Sequence, residues 1–251
     1  MKIAIITGAS SGLGSEFARQ LDQKLGHTDE LWLLARNKEA MEEVSRTLKH
    51  KTRTIAIDLT AEKSLRQFEE VLAIQNPTIT VLVNCAGVGS HGHFSHQSRE
   101  SIEAMIQLNI VALTRMTKIC LPYMRKGSKI LQFSSGAAFV PQAAFAVYAA
   151  SKAYVYSLSR ALQRELMGRG VTVTAVCPGP VNTPFLTQAY GKSYKLQGLK
   201  RLTMLETGCV VEKAILDCKQ KKTVSVCGLP MKLLYLSTQN VQNILQKFFP
   251  V

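Results

Sequence analysis

The sequence predicts an α/β fold, built on a doubly wound parallel sheet and contained in a single domain over residues 1–251. Short apolar segments alternate with helical patterns from Lys2 almost to the end of the chain. These segments are continuous in Val, Ile and Leu, which is the pattern of strands buried on both faces of a parallel sheet. A length of 251 residues suits one such unit, which can bury a substantial core without disulfides or a structural metal.

The order of the elements follows from this alternation. The predicted strands are Lys2–Ile6, Glu30–Ala35, Thr52–Ile57, Ile79–Asn84, Lys129–Ser134, Val171–Cys177 and Thr223–Val226. The predicted helices are Gly12–Lys24, Lys38–Leu48, Ala61–Ile74, Ser98–Met124, Val147–Met167 and Val210–Cys218. After Pro178 the pattern changes, since residues 183–207 are polar and basic without a clear strand. The tail, residues 231–251, has an apolar face.

The composition is that of a folded, globular chain. Hydrophobic residues make up 46% and charged residues 19% of the sequence. We find no apolar stretch long enough to span a bilayer and no secretory signal at the N-terminus. The six cysteines form no C-x-x-C pair, which predicts reduced, buried thiols and a cytoplasmic protein.

The net charge of +14 raises the question of an anionic partner. Lys and Arg are spread along the chain rather than grouped, so we do not expect specific binding of nucleic acid. A phosphate-rich cofactor and an anionic substrate would each account for part of the charge, and solvated surface for the rest.

The first predicted turn carries three glycines in the pattern G-x-x-x-G-x-G, at Gly8, Gly12 and Gly14. We assign Gly8 to a tight turn, Gly12 to close approach of a pyrophosphate, and Gly14 to close packing of helix on strand. The amides at the start of the next helix then point at the phosphates. Such a strand, loop and helix predict a Rossmann-like dinucleotide site.

Arg36 ends the second predicted strand, about twenty residues beyond the glycines. An acid at this place binds the 2′-hydroxyl of NAD, whereas an Arg pairs with the 2′-phosphate of NADP. Asp29 and Glu30 lie at the other end of the strand. The predicted cofactor is therefore NADP(H).

Tyr148 and Lys152 form a Y-x-x-x-K pattern on a predicted helix, where residues four apart share one face. A neighbouring ammonium should lower the pKa of the phenol and allow acid/base work near neutral pH. Ser135 ends the fifth predicted strand thirteen residues earlier, and its hydroxyl could reach a substrate carbonyl. Ser134 is a close competitor for that role.

Six motifs in order between Lys2 and Thr183 resemble the short-chain dehydrogenase/reductase family. They are the glycine loop, Asp58 after the third strand, N-C-A-G at 84–87, Asn109, Ser135 with Y-x-x-x-K, and P-G-x-x-x-T at 178–183. In the third motif of this set, Cys85 stands where the family pattern N-N-A-G has its second Asn.

The resemblance implies roles for individual residues. The catalytic residues would be Asn109, Ser135, Tyr148 and Lys152. The cofactor would contact Gly8, Ser10, Ser11, Gly12, Leu13, Gly14, Arg36, Asp58, Asn84, Ala86, Gly87, Tyr148, Lys152, Pro178, Gly179, Val181 and Thr183. By the same resemblance Asp58 lies beside the adenine, although it could also cap the next helix. Asn109 would anchor a water in a proton relay, although it could also be a locally bonded surface residue.

Three histidines, at positions 91, 93 and 96, lie close together in sequence. No carboxylate or cysteine completes a familiar ligand spacing, so we predict no metal site and place them near the substrate entrance. Residues 183–207 occupy the place of a substrate lid, and their charge would favour an anionic substrate if they contact it. The tail could line the pocket, form a subunit contact or touch a membrane, and the first two are favoured.

The resulting hypothesis is an NADPH-dependent oxidoreductase that interconverts ketone and alcohol on a hydrophobic carbonyl substrate, which could be anionic. The alternative is an NADP-dependent hydroxysteroid or bile-acid dehydrogenase. A non-catalytic, NADP-binding redox sensor is a remote third hypothesis, which the presence of Tyr148 and Lys152 disfavours. We expect a homo-oligomer, with a dimer favoured because the short ending differs from that of tetrameric family members.

Overall fold

The computed structural model describes residues 1–26, 28–191 and 203–248, with side chains up to residue 238. Within these residues the chain forms one seven-stranded sheet in the order β3-β2-β1-β4-β5-β6-β7, and every pair of neighbours is parallel. The strands are β1 Lys2–Thr7, β2 Glu30–Ala35, β3 Lys51–Ala56, β4 Thr78–Asn84, β5 Met124–Phe133, β6 Thr172–Val176 and β7 Val224–Ser225. The predicted fold class is confirmed.

Nine α-helices flank the sheet in the described part of the chain. They are α1 Gly12–Lys24, α2 Lys38–Arg46, α3 Glu62–Gln75, α4 Arg99–Ile106, α5 Leu113–Cys120, α6 Ala146–Leu166, α7 Pro184–Tyr190, α8 Thr207–Lys219 and α9 Leu229–Phe248. A π-helical segment, Gln107–Ala112, joins α4 to α5. Short 3₁₀ turns occur at Phe94–His96, Leu121–Tyr123, Gly136–Ala138 and Met167–Arg169.

Each face of the sheet carries its own apolar layer, because successive side chains of a strand point to opposite faces. On β1, Ala4 and Ile6 pack against α1, α2 and α8, whereas Ile3 and Ile5 pack against α3, α5 and α6. Trp32 is fully buried in the second layer. Two-sided burial explains the unbroken apolar segments in the sequence.

The strand order reverses between β1 and β4, where successive crossovers leave to opposite sides of the sheet. In doubly wound sheets a crevice opens at this point, outside the carboxyl ends of the strands. Thr7 and Asn84 end the two strands and are paired in register there. The fold therefore predicts the ligand site at this edge.

The predicted helix Ser98–Met124 is interrupted, and the strand after it begins earlier than expected. The π-helical segment surrounds Asn109, and the last helical turn ends at Leu121–Tyr123. Strand β5 starts at Met124, which pairs with Ile79 on β4. The Ser128 hydroxyl donates to the Ile79 carbonyl oxygen (2.7 Å), which supports the irregular first half of β5.

The region Arg99–Tyr123 is also long and apolar enough to cross a membrane by length and composition. The expectation that no stretch reaches this length was therefore wrong. The helix buries Met105, Asn109 and Met116, and it packs beside β4 and α6. The buried side of the helix thus covers the sheet, and 39% of its apolar stretch is buried.

The region after Pro178 contains a helix that the sequence pattern did not predict, α7, at Pro184–Tyr190. It lies within the predicted lid, and residues 192–202 of that lid lie outside the described residues. The tail forms α9. Its residues Leu229, Leu233 and Leu236 are exposed, and the side chains beyond residue 238 lie outside the described part.

Candidate active site

A cavity of about 980 Å³ opens at the carboxyl edge of the sheet, over the β1/β4 switch point. Nineteen of the predicted site residues separate into two groups by position. Those that line the cavity are Gly8, Ser10, Ser11, Gly12, Leu13, Gly14, Arg36, Asp58, Ala86, Gly87, Ser135, Tyr148, Lys152, Pro178, Gly179, Val181 and Thr183. Asn84 and Asn109 do not line it and are buried. One edge of the sheet thus gathers residues from across most of the chain.

The glycine loop has the geometry that its spacing predicted. Gly8 has φ +69°, in the left-handed region that favours glycine. A Cβ on Gly14 would overlap the carbonyl oxygen of Gly8, so helix α1 approaches β1 as closely as it does only because Gly14 has no side chain. The two residues together place the start of α1 at the cavity.

The N-terminus of α1 is suited to bind an anion. Ser11 is the N-cap residue, yet its side chain makes no capping hydrogen bond, so the first amides of the helix keep no side-chain partner. These amides, with those of the loop, line the cavity. A pyrophosphate fits such a helix start, because its charge complements both the N–H groups and the helix dipole.

Thr7 joins the two loops at the switch point, and sequence reasoning assigned it no role. Its hydroxyl oxygen accepts from the amides of Cys85 (3.0 Å) and Ala86 (3.1 Å). The loop after β4 is therefore held against the loop after β1. The signal for this role was weak, because a hydroxyl at the end of a strand is common.

The far end of the cavity has the residues expected for an adenosine. Arg36 is exposed at the end of β2 and lines the cavity beside Asp58. The Asp58 carboxylate accepts from the amide (2.9 Å) and hydroxyl (2.7 Å) of Thr60, and these bonds, with the Arg36 charge, lower its pKa. Asp58 does not cap α3, whose N-cap is Ala61, so the alternative capping role is wrong.

Tyr148 and Ser135 face one another at the centre of the cavity. Ser135 forms the N-cap of a 3₁₀ turn, where its hydroxyl accepts from the Ala137 amide (3.1 Å), and it also contacts the Tyr148 hydroxyl. Ser134 instead donates to the Lys152 carbonyl oxygen (2.7 Å). Of the two serines, Ser135 has its side chain beside Tyr148.

Lys152 lies one turn after Tyr148, with its Nζ 5.6 Å from the phenol ring centroid. The ammonium donates to the Phe133 carbonyl oxygen (2.9 Å) and is buried. Burial lowers the pKa of Lys152 to about 8. The predicted lowering of the Tyr148 pKa is wrong in this structure, because burial raises the pKa of the phenol by more than its contact with Ser135 lowers it.

Asn109 is fully buried beneath the cavity, so the alternative of a surface residue is wrong. Its amide oxygen accepts from the Val88 amide (2.9 Å), and its Nδ2 donates to the Val88 carbonyl oxygen (2.8 Å) and the Ser151 hydroxyl (3.1 Å). These bonds tie the loop after β4 to α6. They explain why Asn occurs inside a helix and why the helix widens there.

Asn84 lies below the cavity in a buried polar network. Its Nδ2 donates to Thr117 (2.9 Å) and to Gln132 (2.9 Å), and Gln132 donates to Thr117 (2.8 Å). Its Oδ1 has no partner in the described residues. The side chain thus joins β4, β5 and α5. Because it does not line the cavity, the structure does not support the predicted contact between this side chain and the cofactor.

The P-G-x-x-x-T segment forms another part of the cavity wall, and Thr183 at its end lies against Gly12 of the glycine loop. The Pro178 carbonyl oxygen accepts from the Gly136 amide (2.8 Å), which links this turn to the strand that carries Ser135. Val181 is buried and bridges to Leu205, just beyond the undescribed lid residues. Thr183 is the N-cap of α7. The turn therefore joins the cavity wall to the lid.

One end of the cavity, formed by the loop after β4, the segment before α6, α7 and α9, is named here the substrate end. It is apolar and aromatic, which the sequence did not predict in detail. Its apolar lining comes from the loop after β4, the segment before α6, α7 and α9. The residues are Val88, Ala137, Phe145, Phe185, Tyr190, Met231 and Leu234. Part of the tail thus lines the pocket, which was one of the three roles predicted for it. Glu100 and Glu103 are acidic residues on the wall, whereas the basic lid residues 192–201 lie outside the described part.

The cysteines and histidines agree only in part with their predicted positions. All six cysteines are free. Cys120, Cys177 and Cys218 are buried, Cys85 and Cys227 are half-buried and Cys209 is exposed, so the predicted burial holds fully for three of them. His91 packs against Tyr190, with ring centroids 4.6 Å apart, beside the cavity. The part of the chain that the structure describes has no group of three His, Cys, Asp or Glu side chains able to hold a metal ion.

The sequence profile of the short chain dehydrogenase family matches residues 2–193. The chain belongs to this family. An oxidoreductase of Staphylococcus epidermidis is 30% identical over 199 residues, which are 78% of this chain and 85% of the relative. The mouse 17-beta-hydroxysteroid dehydrogenase type 3 is 29% identical over 252 residues, covering 94% of this chain and 78% of the relative.

Two solved structures of short-chain dehydrogenases show how closely the fold is shared. A short-chain dehydrogenase from Sphingobium yanoikuyae in complex with NADPH superposes with a TM-score of 0.85 at 27% identity, covering 98% of this chain and 96% of that one. A bulky-bulky ketone specific alcohol dehydrogenase from Comamonas testosteroni has a TM-score of 0.78 at 26% identity, with 98% and 94% covered. The chain is thus an oxidoreductase of the family, acting between CH–OH and C=O.

Proposed function

We propose that this short-chain dehydrogenase reduces hydrophobic, bulky ketones with NADPH and catalyses the reverse oxidation with NADP⁺. The observation that carries the proposal is the meeting of Ser135, Tyr148 and Lys152 in the same cavity as an aromatic substrate wall. The similarity to a dehydrogenase specific for bulky ketones supports this substrate class.

The chain's own groups fit the reduction of a carbonyl. When bound, NADPH supplies the hydride. The Ser135 hydroxyl is placed to donate a hydrogen bond to the substrate oxygen, where negative charge develops. Tyr148 is protonated at neutral pH, because burial raises its pKa, and it can give its proton to that oxygen. Lys152 holds positive charge beside the phenol, and Asn109 fixes the loop that closes this end of the cavity.

The preference for NADP over NAD rests on Arg36. No carboxylate stands at the end of β2, and the guanidinium lies at the cavity wall where the 2′-phosphate would lie. Asp58 is one strand further and is already engaged by Thr60. The NADPH complex of the Sphingobium yanoikuyae relative supports the same choice.

A second candidate is a hydroxysteroid or bile-acid dehydrogenase. It is favoured by the similarity to 17-beta-hydroxysteroid dehydrogenase type 3 and by the apolar, aromatic lining of the cavity. The remote candidate, a non-catalytic redox sensor, is disfavoured by the intact Ser135, Tyr148 and Lys152. We propose the cytoplasm as the location, because all six cysteines are free thiols.

The experiment supplies NADPH or NADH with a panel of steroid ketones, bile-acid ketones, 3-oxoacyl thioesters and bulky aryl ketones. Loss of nicotinamide absorbance is followed for the wild-type protein and for Tyr148→Phe. We expect turnover of a bulky ketone with NADPH, and its loss in Tyr148→Phe. A protein that binds NADPH but turns over nothing would contradict the reductase and favour the sensor.

Arg36→Ala tests the cofactor choice in the same assay. Loss of a charge-assisted contact to phosphate should raise the KM for NADPH by about 10- to 100-fold and leave that for NADH unchanged. Lys38→Ala is the matched control, since Lys38 is a nearby exposed cation that pairs with Glu42 instead. An equal effect of Arg36→Ala on both cofactors would contradict the assignment.

A further inference from the structure

A cluster of aromatic rings surrounds Phe145, the residue just before α6 and three before Tyr148. The Phe145 ring stacks on the Tyr148 ring, with centroids 4.3 Å apart and planes inclined by 22°. This is the closest of the ring contacts described for Tyr148, since Phe185 lies 5.5 Å away at 43°. Phe145 is buried, yet its ring reaches the cavity wall.

Phe145 also contacts two rings from other elements. Its centroid lies 5.6 Å from Tyr190 at the end of α7, and 5.9 Å from His91 in the loop after β4. His91 and Tyr190 in turn pack together at 4.6 Å. The phenol is thus joined through Phe145 to both segments that border the substrate end of the cavity.

Backbone hydrogen bonds hold these rings in place. The His91 amide donates to the Ala189 carbonyl oxygen (2.8 Å), and the Gly92 amide donates to the Ala144 carbonyl oxygen (2.8 Å). Ala144 has φ +58°, in the left-handed region that is unfavourable for a residue with a side chain. Strain of this kind is kept only where surrounding contacts enforce it, and here it occurs immediately before Phe145.

We propose that Phe145 is a positioning residue for Tyr148. Its ring covers one side of the phenol, fixes the angle at which the hydroxyl meets the substrate oxygen, and links that angle to the position of α7. The inference rests on the proposed function, because Tyr148 is taken there as the proton donor. The family pattern assigns no role to Phe145 or to its contact with Tyr148.

The groups around Tyr148 define what the loss of this ring should do. Ser135 from the end of β5, Lys152 on α6, Tyr190 on α7 and Cys85 after β4 are the groups that face the phenol. Burial is the largest of the influences on the Tyr148 pKa, and it raises that pKa. A smaller, flexible side chain at position 145 would admit water and therefore lower it.

The experiment compares Phe145→Leu, Phe145→Tyr and the control Phe139→Leu. Phe139 meets Tyr156 edge-on with ring centroids 5.5 Å apart, about two turns beyond Tyr148 on α6, so the control removes a ring contact to the same helix away from Tyr148. We expect kcat for ketone reduction to fall about 10- to 100-fold in Phe145→Leu, since small misplacement of a reacting group costs that much. KM for NADPH should not change, and Phe145→Tyr should restore most of kcat.

The comparison of kcat with KM separates positioning from simple packing. Loss of the stacked ring should lower kcat and leave KM for NADPH unchanged, because the reacting hydroxyl is misplaced while the cofactor contacts stay intact. Equal losses of kcat in the two Leu variants, or no recovery of kcat in Phe145→Tyr, would overturn the proposal.

Fluorine NMR of protein labelled with 3-fluorotyrosine tests the same contact without turnover. The Tyr148 resonance is assigned by its absence in Tyr148→Phe, and we expect its chemical shift to change in Phe145→Leu, because the stacked ring of Phe145 is removed, and not in Phe139→Leu. If no ketone is reduced but this change is seen, the proposed function fails and the Phe145 contact stands. An unchanged chemical shift overturns the contact whatever the activity.

Discussion

Lys152 is a buried ammonium whose pKa is lowered to about 8, beside a phenol whose pKa is raised. Burial causes both shifts, because low polarity penalises the charged form of each group. One hydrogen bond to the Phe133 carbonyl oxygen offsets part of the cost of the lysine. Its burial therefore lowers stability, as is expected of a residue kept for the proposed reduction and not for the fold.

We predict that Lys152→Met abolishes ketone reduction and stabilises the protein without cofactor. A shift from 10.5 to about 8 corresponds to about 3 kcal/mol, and loss of the bond to Phe133 returns about 1 kcal/mol. The net gain of about 2 kcal/mol should raise Tm by about 5 °C at pH 7. Thermal unfolding measured by circular dichroism checks it.

The pH dependence of this gain has a defined sign. The folded pKa lies below the unfolded one, so between about pH 8 and 10 the unfolded wild-type chain binds more protons and wild-type stability rises with pH. The advantage of Lys152→Met should therefore be full below pH 8 and shrink above it. A Tm that is lower in the variant at pH 7 would contradict the account of a costly buried charge.

At this scale the sequence pointed to Tyr148 and Lys152 through their spacing, and to Arg36 through its distance from the glycines. It could not point to Phe145, since one aromatic residue before a helix has no distinctive pattern. Nor could it show that burial dominates the pKa of Tyr148, because burial depends on what the whole fold places around the ring.

At the scale of elements, the π-helical segment Gln107–Ala112 is the notable departure from regular structure. Three hydrogen bonds of the buried Asn109 side chain hold the Val88 backbone and Ser151. Such interruptions of helices occur often at functional sites, where they turn a side chain toward a partner that a regular helix would not reach. Here the partner is the loop that follows β4.

We predict that Asn109→Ala destabilises the protein by about 3 kcal/mol, because three hydrogen bonds are lost, two to the half-buried Val88 backbone and one to the buried Ser151 hydroxyl. Tm should fall by roughly 9 °C, and kcat should fall as the loop loosens. Differential scanning calorimetry with the ketone assay measures both effects.

Gln107→Ala is the control for this change, since Gln107 lies in the same π-helical segment but is exposed. It should change the free energy of unfolding by less than about 1 kcal/mol. Comparable losses in the two variants would show that the segment, and not the Asn109 side chain, is responsible.

The elements themselves were predictable to different degrees. The six longer strands and α1, α2, α3, α6 and α8 follow from periodicity, which is strong wherever one face of a helix or both faces of a strand are buried. Helix α7 was missed because its seven residues span only two turns, too few for a periodic pattern. The break at Asn109 was missed because it depends on Val88, which is distant in sequence.

At the scale of the whole molecule, the cavity exists because strands that are far apart in sequence end at one edge of the sheet. The apolar wall at its substrate end includes Met231 and Leu234 of α9, so that helix is part of the site. Its opposite face carries Leu229, Leu233 and Leu236, all exposed. Exposed leucines spaced along one helix face are typical of a surface covered by another chain.

We predict a homodimer that this face of α9 supports. Leu233→Glu combined with Leu236→Glu should convert the dimer into a monomer, because two buried charges would lie in an apolar contact. Sedimentation velocity at several protein concentrations measures the change. Ile74→Glu, at an exposed apolar residue of α3, is the control and should leave the dimer intact. A dimer that survives the double change would place the interface elsewhere.

The sequence by itself determined the sheet class, the glycine loop, Arg36 at the end of the second strand and the Tyr148–Lys152 pair. These depend on short-range spacing: two residues per repeat in a strand, about 3.6 in a helix, and a fixed distance between a loop and the strand after it. Because these spacings lie within short segments of the chain, the sequence alone is enough to locate these features.

Only the tertiary structure decided which side chains meet. It placed Ser135 rather than Ser134 beside Tyr148, put Asn84 and Asn109 beneath the cavity, and stacked Phe145 on the phenol. Such contacts join residues from different elements, and their distances and burial follow from how the helices pack on the sheet. The pKa of a buried group follows from the same packing, which is why the sequence predicted the wrong direction for Tyr148.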